Sequence, residues 1–66
     1  MDITVNGEEK RFEGEVSVAG LLTALALEPK KIAVERNLEI VPKSLYGETE
    51  LADGDKIEIV QFVGGG

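Results

Sequence analysis

One stretch of this chain changes the hydrophobic period. Val18, Leu21, Leu22 and Leu25 recur at i, i+3, i+4 and i+7, the spacing that lines one face of an α-helix. Ser17 is placed to cap that helix, since its hydroxyl can accept from a free N–H of the first turn. Pro29 sets the far limit, because a residue before proline avoids the helical region. Together these signals predict a helix over 18–27. Gly20 lowers its propensity. With strands on both sides, the helix is expected to cross over one face of a sheet and bury its apolar stripe there.

The strands are read from alternation. Ile3 and Val5 alternate with Asp2 and Thr4, which describes a half-buried strand. Asn6-Gly7 suits a type I′ hairpin turn, in which both central residues need positive φ. A return strand over 9–13 would place Phe12 inward, and Gly14-Glu15 breaks the pattern. Beyond the helix, Ile32 and Val34 alternate with Ala33 and Glu35. Asn37 opens a turn, and Ile40-Val41 is a short fourth strand. Pro42 stops that strand and favours a sheet edge, because it cannot donate to a ladder. Residues 43–46 suit one helical turn, 47–50 a loop, and Leu51 a return to the core. Ala52-Asp53-Gly54-Asp55 reads as a tight turn before a last strand over 56–63. The order β-β-α-β-β-β gives the α+β class: a mixed sheet packed against one main helix, the arrangement of a β-grasp, or ubiquitin-like, fold. Residues 1–63 are expected to form the domain and 64–66 a flexible glycine tail.

Missing residue types narrow the chemistry. The 66 residues include no Cys and no His. A domain this small buries only about 60% of its unfolded surface, and here neither disulfide nor metal staples are available. It must fold on its apolar residues alone, which make up 42% of the chain. Without Cys there is no thiolate nucleophile. Without His the usual general base is gone. Little room remains for a shaped pocket around carboxylates or lysines, so the chain is read as having no catalytic residues of its own. The net charge of −6, from 13 acidic and 7 basic residues, argues against nucleic acid, which calls for a basic face. It suits either simple solubility or a protein partner with a basic surface. No basic region precedes an apolar run at the start, and no stretch is apolar enough to span a membrane. Cytoplasm is the expected location, because a secreted domain of this size usually carries disulfides. The free protein is expected to be a monomer.

The last strand has two apolar faces. Ile57 and Ile59 share one; Val60 and Phe62 fall on the other. If the helix covers the first, Val60 and Phe62 form an uncovered pair suited to docking a partner. A β-bulge that turned either back into the core would read equally well at Val60 and less well at Phe62. The strand runs into Gly64, Gly65 and Gly66. Glycine adds no side chain and restricts φ/ψ least, so Gly64 and Gly65 would let a tail thread a narrow channel and present the carboxylate of Gly66. That group is ionised at neutral pH and can attack the α-phosphate of ATP. A frayed end fits a bare triglycine just as well. Other candidates are weaker. Asp53-Gly54-Asp55 lacks the further ligands of a calcium loop. Glu8-Glu9-Lys10-Arg11 suits a solvated hairpin end. Arg36 and Lys43 suit solvent or a partner's acids, and Tyr46 suits the core edge.

Taken in order, these fragments resemble the ThiS family of sulfur carrier proteins in thiamine thiazole biosynthesis. The likeness runs through Ile3-Thr4-Val5-Asn6-Gly7, the helix, Ala33-Val34-Glu35-Arg36-Asn37 and Ile40-Val41-Pro42-Lys43-Ser44. It continues through Asp53-Gly54-Asp55 and Ile57-Glu58-Ile59-Val60 to Phe62-Val63-Gly64-Gly65-Gly66. The resemblance implies a β-grasp fold and a cycle of loading. A ThiF-type adenylyltransferase would use Mg-ATP to adenylate Gly66. A cysteine desulfurase or another sulfur source would convert the adenylate to a thiocarboxylate, and thiazole synthase would take the sulfur. Gly65 and Gly66 match the family's terminal pair; Gly64 matches a position less strictly required. Because the chain has no Cys, it cannot hold sulfur as a persulfide, which leaves the terminal carbonyl. The carrier needs no bound metal or cofactor in this scheme.

Rivals share parts of this reading. A MoaD-like carrier for molybdopterin has the same fold and Gly-Gly end, but tends to be longer and often has proline before the tail. A ubiquitin-like modifier would use the same activation to join a target lysine. A non-covalent β-grasp binding module would use the sheet face alone and leave the tail dispensable.

Overall fold

A computed structural model of the chain describes residues 1–62. Five strands form one mixed sheet: β1 (Asp2–Val5), β2 (Glu8–Arg11), β3 (Ile32–Arg36), β4 (Glu39–Val41) and β5 (Lys56–Gln61), in the order β2-β1-β5-β3-β4. β1 and β5 run parallel at the centre, and the other pairings are antiparallel. One helix, α1 (Val18–Ala24), packs its buried residues Val18, Leu21 and Leu22 into a core with Ile3, Val5, Ile32, Val34, Val41, Ile57 and Ile59. Tyr46 and Leu51 close the core from the long connection between β4 and β5. This is the α+β class expected from the alternation and helix period, with the β-grasp topology that the ThiS resemblance implies. No helix among the described residues is long and apolar enough to cross a membrane.

The start of α1 shows why that connection lies where it does. The N–H of Val18 donates to the Thr49 carbonyl and that of Ala19 to the Tyr46 carbonyl. Ser17 caps as expected, accepting from Gly20 N–H at 3.1 Å. The first-turn donors that a helix leaves unpaired are thus satisfied, two of them by a remote loop. These bonds hold the loop at the start of α1, and its Tyr46 is buried.

The helix stops at Ala24 rather than Leu27. Ala26 takes φ +58°, the Leu27 N–H donates to the Leu22 carbonyl, and the Ala26 N–H to the Thr23 carbonyl. These bonds make a Schellman ending. Glycine usually marks such a site; alanine here conceals it, and Pro29 instead begins a separate 3₁₀ turn, Pro29–Lys31. The return strand spans 8–11 rather than 9–13, and Phe12 packs against the core just past its end. β5 ends at Gln61. Phe62 already lies past the strand, which is therefore shorter than the expected 56–63; Val63 and the tail assigned to Gly64, Gly65 and Gly66 lie outside the described residues.

Both hairpins turn on two residues of positive φ. Asn6 and Gly7 take +49° and +83°; Asn37 and Leu38 take +51° and +71°. At Leu38 a bulky side chain occupies a backbone conformation that costs an L-residue about 1–2 kcal/mol, and it is 87% exposed. Leu38→Gly is therefore expected to stabilise the fold by about 0.5–1 kcal/mol after allowing for the greater freedom of glycine in the unfolded chain. Thermal unfolding should shift upward by about 2–6 °C. A downward shift would mean that the Leu38 side chain contributes packing that outweighs the strain.

Candidate functional site

The outer face of the sheet, opposite α1, is where the last strand presents its second set of apolar side chains. The β3–β5 register runs without interruption from Ile32 opposite Gln61 to Arg36 opposite Ile57. No bulge reverses a side chain, so Val60 and Phe62 remain outward, 56% and 50% exposed. Ala33 lies directly across from Val60 on the same face. One strand further, Ile40 lies opposite Glu35 and is also exposed.

Several elements meet at the end of β5. The Phe62 N–H donates to the Lys31 carbonyl at 2.8 Å, extending the β5 connection past the last strand residue. The Lys43 ammonium sits 5.5 Å from the centre of the Phe62 ring and donates to the Lys30 carbonyl at 3.3 Å. Phe62 is thus a surface residue with a fixed backbone and a cation over one ring face.

Two polar devices, neither visible as a motif, fix the path of β5. The Asn6 carboxamide bridges to Ile59: its Nδ2 donates to the Ile59 carbonyl at 3.1 Å, and its Oδ1 accepts from the Ile59 N–H at 2.7 Å. A side chain thereby continues the parallel ladder past the end of β1. At the other end of β5, Asp55 is buried. Its carboxylate accepts from Arg36 Nε at 2.8 Å, Asn37 Nδ2 at 3.0 Å and the Ala52 N–H at 2.8 Å. Burial by itself would raise the Asp55 pKa. The bonds from Ala52, Asn37 and Arg36, with the Arg36 charge, more than offset that and hold it below its ordinary value. Arg36, expected at the surface, is therefore an internal partner of Asp55. Asp53-Gly54-Asp55 is the expected turn, tied to β1 by the Asp2 N–H donating to Asp53 Oδ1 and the Gly54 N–H to the Asp2 carbonyl. Among the described residues, no group of three or more acidic side chains is placed to hold a metal ion.

The sequence matches the model of the ThiS family over residues 3–66. The chain belongs to the ThiS family. Among its relatives is the Bacillus subtilis sulfur carrier protein ThiS, 45% identical over 65 residues, covering 97% of this chain and 98% of that protein. A thiazole synthase of Paramagnetospirillum magneticum is 53% identical over all of this chain, yet the match covers 20% of that protein. A thiazole synthase of Magnetococcus marinus is 44% identical, with the same coverage. The chain thus spans about a fifth of the length of these two synthases. In three dimensions, the fold resembles the crystal structure of the thiamine biosynthesis protein ThiS from Geobacter metallireducens, with a TM-score of 0.85, 35% identity and full coverage of both chains. In the sequence of this ThiS-family chain, β5 ends at Gln61, shortly before Gly64, Gly65 and Gly66.

Proposed function

We propose that this chain is a sulfur carrier for thiazole formation in thiamine biosynthesis, loaded at the carboxylate of Gly66. One observation carries the reading: the family match extends through Gly66, so the glycine end is part of what the chain shares with the family. Similarity to the Bacillus carrier along nearly its whole length supports it. The Bacillus and Geobacter relatives favour the thiazole route over a molybdopterin one.

In this reading the protein is a cosubstrate. Its carboxylate attacks the α-phosphorus of ATP inside a ThiF-type adenylyltransferase, the bond to the β-phosphate breaks, and pyrophosphate leaves. The outer sulfur of a persulfide on a cysteine desulfurase, or on another donor, displaces AMP to give an acyl disulfide; a thiol then cleaves its S–S bond, which releases the thiocarboxylate and leaves a disulfide between donor and thiol, and the thiocarboxylate passes its sulfur to thiazole synthase. Magnesium and ATP belong to the adenylyltransferase. Four residues separate Phe62 from the end of Gly66, and at full extension they span at most about 14 Å. A partner that acts on Gly66 must therefore bring its active site close to Phe62, which suits Val60 and Phe62 as the apolar contact.

Carrier-dependent exchange of pyrophosphate into ATP by the adenylyltransferase tests the first step. The reading expects exchange only when the carrier is present; no exchange with an active adenylyltransferase would refute it. Phe62→Asp is expected to weaken binding to the adenylyltransferase by about tenfold or more, as loss of a central aromatic contact does, with thermal unfolding nearly unchanged. Unfolding of that variant with intact binding by its folded fraction would return Phe62 to a structural role.

A further inference from the structure

A second feature of the outer sheet face concerns charge. Glu35 of β3 and Glu58 of β5 are direct partners in the antiparallel register. Like charges placed directly opposite destabilise a sheet. Among the described residues, neither carboxylate forms an ion pair; Arg36, the nearest cation in sequence to Glu35, is on the other face and bound to Asp55. Lys56, two residues before Glu58, shares its face but lies outside ion-pair distance. The pair sits between apolar neighbours: Ile40 beside Glu35, and the Val60–Ala33 pair one step along the strands. An acidic pair with no ion-pair partner among the described residues, flanked by the exposed Ile40 and Val60 on the face that leads to Phe62, is complementary to a basic side chain carried on an apolar surface.

We infer that Glu35 and Glu58 form the electrostatic centre of the surface that docks thiazole synthase, receiving an arginine or lysine of that enzyme between Ile40 and Val60. The inference rests on the sulfur-carrier reading. The choice of occupant follows from charge complementarity and from the two synthases in which a segment similar to this whole chain lies within the synthase polypeptide. There the two partners are held at high effective concentration by their linkage. Wherever carrier and synthase are separate polypeptides, the contact surface alone must supply affinity and register, and buried charge pairs are suited to fixing both.

The like-charge pair gives the inference a signature that a purely structural role would not share. Glu58→Gln and Glu35→Gln should each relieve repulsion and raise the unfolding temperature of the free protein by about 1–4 °C. Each should weaken binding to thiazole synthase by about 5- to 10-fold and reduce the salt dependence of binding. Glu48→Gln, which removes the same charge from an exposed loop position, should leave affinity unchanged. The comparison is made by calorimetric titration of the wild type and three variants into thiazole synthase at two salt concentrations. Equal affinity for the wild type, Glu58→Gln and Glu35→Gln would overturn the inference, as would an equal loss in Glu48→Gln. If the wild type itself does not bind thiazole synthase, the carrier reading fails and the inference fails with it.

Discussion

Removing Gly65 and Gly66 is expected to abolish loading altogether while leaving the domain folded. The two halves of that result come from different parts of the molecule. Among the described residues, every member of the buried core lies at or before Ile59, and the last described backbone bond is made by Phe62 to Lys31. Truncation is therefore expected to leave this packing in place, and the unfolding temperature should move by no more than about 2 °C, as for changes away from packed features. Loading is another matter. The truncated chain would end at Gly64, two residues short of the reach that the proposed adenylation uses; each residue removed takes away about 3.5 Å. A carboxylate that far from the nucleotide is not in line with the α-phosphorus, and proximity accounts for much of the rate in such a transfer. Thermal unfolding and adenylation are measured on the same sample. Adenylation at Gly64, or a large loss of stability, would contradict the separation of domain and reactive end.

Asp55 should dominate the stability of the domain. Asp55→Ala strips a buried carboxylate from Arg36, Asn37 and the Ala52 N–H at once. Leaving such partners without an acceptor costs about 2–4 kcal/mol. A domain of this length is stable by only about 3–10 kcal/mol, so the variant should be close to unfolding at physiological temperature. Chemical denaturation gives the difference directly; a loss below about 1 kcal/mol would mean that water replaces the carboxylate. The pH dependence has a definite sign. The folded Asp55 pKa lies below its ordinary value of 3.8, so the unfolded chain takes up the proton first as pH falls. Its contribution is fully present above the unfolded pKa and is lost as pH falls through the folded value. Wild-type stability should therefore decline below about pH 4, and Asp55→Asn should flatten that decline. A decline of equal steepness in Asp55→Asn would assign the acid sensitivity to other carboxylates.

What the sequence discloses depends on whether a feature is local. The helical stripe from Val18 to Leu25 and the alternation at Ile3, Val5, Ile32 and Val34 are local periods, and the elements they predict are present. Period-two alternation also placed Val60 and Phe62 on the face opposite Ile57 and Ile59. The ends of elements were less legible. Ala26 terminates α1 in a left-handed conformation that alanine does not advertise, and the polar run Glu8–Arg11 hides where β2 begins and ends because its edge position asks for no apolar alternation. The polar clamps were not legible at all. Asn6 carries a turn signal, yet its side chain works 53 residues away on Ile59. Asp55 carries another, yet it gathers Arg36 and Asn37 across 19 and 18 residues. Such pairings arise only when the sheet is assembled. The same holds for Glu35 opposite Glu58: each reads as an ordinary strand acid until the register makes them neighbours.

The claim on which the account turns is that Gly66 receives sulfur. Its most direct test is the intact mass of the protein after incubation with a ThiF-type adenylyltransferase, ATP and a sulfur donor, followed by fragmentation to place the change. The account predicts a mass gain equal to one oxygen replaced by one sulfur, located on Gly66 and dependent on ATP. An unchanged mass with partners shown to be active on another carrier, or a sulfur located at any other residue, would contradict it.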